Sequence, residues 1–203
     1  MIYFGLLVVA VLAAYLLQDV VTSLAGAALA LCGVGPTALE WMRHGRMLLL
    51  PALFFTACVT VPFPGMLAMA FACGFLWDCS NALVWGPEFY LLAGGEGPGF
   101  GAGPILFGLL GCVVHGVRPV FLAGARVIAV VAAGLGTFLL LLCEYLWISF
   151  RAGHFAFPDG FWVKVGCSTA WAVVVSLAIM PVLVAGLRAG GGGGGMSQPW
   201  SRP

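Results

Sequence analysis

From Gly65 to Trp77 thirteen residues pass without a charge, and the run then meets Asp78. An apolar stretch of this kind belongs in a protein interior or in lipid. An aspartate at the centre of a lipid-embedded helix costs about 2.5–3.5 kcal/mol to insert, so Asp78 requires a partner, a polar cavity or a helix end. Whatever fold the chain adopts must supply one of the three.

The remaining composition decides between interior and lipid. Of 203 residues, 63% are hydrophobic and only 7% are charged, and the mean hydropathy is +1.12. A soluble domain carries about 25% charged residues, and no soluble fold of this size covers its surface with so few. The chain reads as an integral membrane protein with a single membrane domain. Its net charge of +1 gives no electrostatic basis for binding nucleic acid. The start, MIYFGLLVVAVLAAYLL, lacks the basic region of a secretory signal and reads as an uncleaved first helix. Seven cysteines lie at 32, 58, 73, 79, 112, 143 and 167 with no CxxC pair, so they read as small apolar residues rather than metal ligands.

Spanning a bilayer takes about 20 apolar residues, and the chain offers six candidate runs. These predict an all-α bundle of about six transmembrane helices over residues 2–31, 47–61, 65–79, 102–117, 125–150 and 165–187. The domain would cover residues 1–188, with 189–203 as a Gly-rich disordered tail. Asp19 falls inside the first run. It is read as part of one continuous helix, in preference to a helix that exits there and continues along the interface. Pro51 lies near the start of the second run, where its missing amide matters least. The third helix is expected to end at Cys79, and residues 80–104 to form an external loop containing Glu88 and Glu96. An even number of spans places both termini on one side. The basic residues divide evenly, with Arg118, Arg126, Arg188 and Arg202 against Arg43, Arg46, Arg151 and Lys164. That balance does not fix the side; cytoplasmic termini are the reading adopted.

Two acids and a set of small residues form the candidate site. If the third helix ends at Asp78, its carboxylate would accept hydrogen bonds from the amides of the following turn. A carboxylate at a helix C-terminus opposes the macrodipole, so Arg118 or a cavity lined by amides is the expected further partner. Gly74 lies on the same face, one turn earlier, followed backwards by Ala70 and Met66. Small residues there allow close helix approach, with Gly108 and Gly111 of the fourth run as the facing surface. Glu144 is expected near a helix end, within snorkelling reach of the interface and close to Arg151. No GxSxG, HExxH or DxxD motif occurs, and the three histidines (44, 115 and 154) sit at connectors. No enzyme, cofactor or metal centre is expected.

The order of these features resembles the rod shape-determining protein MreD family. The resemblance rests on Pro64-Gly65, then Gly74-Phe75-Leu76-Trp77-Asp78, then the Gly-rich segment 94–103, then Phe107-Gly108-Leu109-Leu110-Gly111 and Arg118. It covers roughly residues 50–150. This chain departs from the family pattern in a longer Gly-rich loop, in Cys79 where Leu is usual, and in the tail after Leu187. The resemblance implies a bundle similar to the substrate-binding subunits of energy-coupling-factor vitamin transporters. It also implies a non-enzymatic role in the inner membrane, docking the coiled-coil protein MreC in the cell-elongation machinery. Through MreC the chain would meet MreB, RodA and a class B penicillin-binding transpeptidase, regulating cell shape and lateral peptidoglycan synthesis. The alternative is a vitamin-capturing transporter subunit, whose first helix is similar in its small residues four apart, here Ala10 and Ala14.

Overall fold

A computed structural model of the chain describes residues 2–31, 33, 48–59, 61–85, 99–121, 125–155 and 160–191. The described residues form six helices and no strand: α1 (Ile2–Leu31), α2 (Leu49–Cys58), α3 (Phe63–Trp85), α4 (Ala102–Phe121), α5 (Ala125–Ala152) and α6 (Phe161–Gly191). Three of them contain stretches long and apolar enough to cross a membrane: Phe63–Ser80, Ala129–Ala152 and Phe161–Ile179, with mean hydropathies of 1.3, 2.0 and 1.6. Among its described residues the protein is all-helical, with three helices fit to span a membrane.

Most helices begin and end near the expected positions, and α1 runs unbroken through Asp19. The Asp19 side chain itself lies outside the described residues, as does the loop 86–98. One boundary differs in a way that matters. The third helix continues past Cys79 to Trp85, because Ser80 bonds back to its own helix, its Oγ donating to the Trp77 carbonyl at 3.0 Å, instead of opening a turn. At the other end of the chain α6 extends to Gly191, so residues 189–191 of the expected tail are helical and 192–203 lie outside the described residues.

The short helix α2 sits in the middle. It packs against every other helix, while α1, α3, α4, α5 and α6 touch in that cyclic order and close a ring around it. All of Leu50–Cys58 is buried accordingly. Ten residues without a polar face are stable there because Thr56, their one polar side chain, donates to the Ala52 carbonyl at 2.6 Å. Pro51 occupies the first turn, where its missing amide leaves no hydrogen bond unmade.

Two aromatic rings of α2 set the spacing of its neighbours. Phe54 and Phe55 meet edge to face at 5.1 Å, and Phe107 of α4 stacks parallel to Phe55 at 6.1 Å. Trp77 of α3 closes the cluster, 5.9 Å from Phe107. Such pairs contribute about 0.5–1.5 kcal/mol beyond their buried area. The rings need notches. A Cβ added at Gly111 would lie 2.9 Å from the Phe54 ring and 2.8 Å from Met66 Sδ, and one at Gly136 would lie 2.6 Å from the Phe55 ring.

The outer surface is apolar in stripes four residues apart: Phe63, Leu67 and Phe71 on α3, Ile105, Leu109 and Val113 on α4, Val127, Val131 and Leu135 on α5. Helices that are apolar inward and outward alike are suited to lipid, not water. Inward contact and outward stripe together explain why α3 has no polar face to read from its sequence.

Glycine substitutions separate notch from open surface. Gly136→Val is expected to destabilise the detergent-solubilised protein by about 1–3 kcal/mol through overpacking against Phe55. Gly108→Ala, where an added Cβ would meet nothing within 4 Å, is expected to leave the melting temperature unchanged or raise it slightly. Thermal unfolding followed by circular dichroism distinguishes the two; equal effects would contradict the packing described.

Candidate functional site

Asp78 lies seven residues before the end of α3 at Trp85 and faces the start of α4. Its Oδ2 accepts a hydrogen bond from the Gly101 amide at 2.6 Å, and its Oδ1 accepts one from the Gly103 amide at 2.8 Å. Since α4 begins at Ala102, these amides belong to the residue before the helix and to its second position. Both are among the donors that a helix N-terminus leaves without an intrahelical acceptor. Asp78 therefore caps α4 from a neighbouring helix, in place of the side chain that Gly101 lacks.

The expected partners were of the right kind but come from a different place in the chain. Amides do receive the carboxylate, but they come from residues 101 and 103, not from the turn after Cys79. The macrodipole of α3 is not opposed at its last turn, because α3 continues past Asp78. The dipole that acts is that of α4, whose positive end favours the carboxylate by about 0.3–1 kcal/mol or more when partly buried. Arg118 belongs to the far end of α4, sixteen residues beyond Ala102, or about 24 Å along the axis. Its side chain lies outside the described residues.

Hydrogen bonds to an ionised acceptor contribute about 1.5–3 kcal/mol each. Two of them match the insertion cost that made Asp78 conspicuous. The arrangement is possible only because the two backbones meet. A Cβ at Gly74 would collide with the backbone of Gly103 and Pro104, and one at Gly103 would collide with the Gly74 carbonyl and with Asp78 Oδ1. Gly101, at φ +105°, takes a backbone conformation that other residues rarely adopt. Pro104 adds no cost, since the first turn of a helix has no use for its amide.

Glu144 differs from its expected place. It is 1% exposed, turned into the bundle instead of reaching for the interface. Its Oε1 accepts a hydrogen bond from the Trp77 indole Nε1 at 3.2 Å. α3 and α5 are not neighbours in the ring, so the indole and the carboxylate meet across its interior. Arg151 lies over the turn into α4: a Cβ on Gly99 would come within 2.7 Å of its Nη1.

Of the small residues singled out in the sequence, Gly74 forms the backbone crossing and Gly111 receives Phe54 and Met66. Gly108 does neither, since it faces open space. Three residues at the joint had no individual prediction: Gly101, Gly103 and Trp77. The sequence places Gly103 directly before Pro104, a helix-start pair that marks where a capping acid is needed. Trp77 has no comparable signal.

Among the described residues no group of three or more His, Cys, Asp or Glu side chains is placed to hold a metal ion. Comparison with protein-family models, with curated proteins and with solved structures found no match.

Replacing Asp78 tests the joint directly. Asp78→Ala strands two amides and is expected to destabilise the protein by about 2–4 kcal/mol. Asp78→Asn keeps one acceptor oxygen and is expected to lose roughly half as much. Equal melting temperatures for all three proteins in detergent would contradict the capping role.

Proposed function

We propose that this chain is a membrane-embedded scaffold of the MreD kind, a non-enzymatic component of the bacterial cell-elongation machinery. In this reading the six helices form one bundle in the inner membrane, both termini are cytoplasmic, and the loops beyond Asp78 and Arg151 face the other side. Helix faces and those loops dock MreC, and through it the chain helps organise MreB, RodA and a class B transpeptidase.

The observation that carries the reading is the joint itself. The residues on which the MreD resemblance rests, Gly74 and Asp78 followed by the Gly-rich segment, converge on one contact whose purpose is mechanical. Both oxygens of Asp78 are engaged by backbone amides, which suits a brace better than a reactive or transport group. The interior also supports scaffold over vitamin carrier. A capture site needs a cavity with convergent polar groups, whereas Phe54, Phe55, Phe107 and Trp77 fill the centre of the ring.

Purification in mild detergent with tagged MreC tests the proposal. The wild-type chain is expected to be retained by MreC, and Asp78→Ala to lose most of that retention and to produce wider cells. Unchanged retention together with normal cell width in that variant would contradict it. A tightly bound vitamin in the purified chain, with no retention by MreC, would favour the transporter subunit instead.

A further inference from the structure

Helical threonines in this chain follow two habits. Thr22 and Thr56 donate to the carbonyl four residues earlier, at 2.7 and 2.6 Å. Thr137 and Thr169 do not: their Oγ1 atoms are buried and have no hydrogen-bond partner among the described residues. Thr137 is wholly buried, with an exposure of 0%.

The packing of α5 on α6 sets these two residues at one level of the seam between the helices. A Cβ on Gly134 would lie 2.7 Å from Val173 Cγ2, and the rings of Tyr145 and Phe161 lie 4.5 Å apart. The two contacts fix an antiparallel register: eleven residues forward on α5 correspond to twelve backward on α6. Thr137 is three residues on from Gly134 and eight before Tyr145. Thr169 is four before Val173 and eight after Phe161. Residues three, four or eight apart share a helix face. Both threonines therefore occupy the facing stripes of the seam, at one level between the two anchoring contacts. Gly134, one turn away, lets the helices approach there.

We propose that Thr137 and Thr169 together hold one buried water molecule that bridges α5 and α6. Each hydroxyl offers one donor and two acceptor sites. The two are not hydrogen-bonded to each other, so a bridging molecule satisfies both where direct contact does not. A buried water requires two to four polar partners, and the unused lone pairs of flanking helical carbonyls complete the set. The bridge fixes the rotation of α6 about its axis relative to α5.

Valine matches threonine in shape, so Thr137→Val, Thr169→Val and the double variant test the site without opening a cavity. Each single variant strands the other hydroxyl and is expected to lower the melting temperature of the detergent-solubilised full chain by about 2–4 °C. The double variant, with no hydroxyl left to satisfy, is expected to recover most of that loss. A high-resolution map of the wild-type protein should show a density peak within hydrogen-bond reach of both Oγ1 atoms. Losses that add, or no loss in either single variant, would overturn the proposal. So would a map in which each hydroxyl bonds its own helix or the other directly, with no peak between them.

Discussion

A carboxylate on one helix accepting the first free amides of another is the contact on which this structure depends. Asp78 joins α3 to the N-terminus of α4 through Gly101 and Gly103. In water such a bond competes with solvent and is worth little net. In a bilayer the amides have no solvent to return to, and the cost of leaving them unmet rises. The charge that is unfavourable in lipid thus becomes favourable at one location, the positive end of a helix. Successive residues divide the work, because positions 77 and 78 point about 100° apart around α3. Trp77 reaches Glu144 on α5 across the interior, and Asp78 holds α4. These two polar contacts therefore lie at one level of the bundle.

The remaining cohesion is steric. Lipid tails are as apolar as leucine side chains, so burying α2 gains no hydrophobic free energy from the membrane and must rely on close packing. Phe54 set against Gly111 and Phe55 set against Gly136 provide it. This explains why glycines are placed opposite aromatic rings in helices where glycine is otherwise unfavourable. It also explains why a helix of only ten residues can form the centre of the fold: its neighbours determine its position on every side. A centre filled in this way leaves the outer faces of the helices as the surface open to a partner, and the proposed scaffold role rests on those faces.

Among the described residues, the helical character of the chain was legible from its apolar runs, and three of those runs are long enough to cross a bilayer. The pairing of Gly74 with Asp78 was legible as well, because a four-residue spacing puts both on one face. The partner was not. Gly101 and Gly103 lie 23 and 25 residues downstream of Asp78, and no local pattern links an acid to amides at that distance. The end of α3 was misplaced because Cys79-Ser80-Asn81 are turn formers in water, whereas a serine in a buried helix satisfies its hydroxyl on its own backbone. Glu144 was assigned to the interface on sequence position alone, with no way to foresee an indole donor 67 residues away. Gly108 and Gly111 look alike in the sequence; only the ring of Phe54 distinguishes them.

Hydrogen–deuterium exchange at the amides of Gly101 and Gly103 tests the central contact most directly. In the wild-type protein both are expected to exchange far more slowly than loop amides, and in Asp78→Ala both should exchange at loop rates while the middle of α4 stays protected. Loop-rate exchange at both amides in the wild-type protein would contradict the contact, and with it the reading of Asp78 as the brace of the fold.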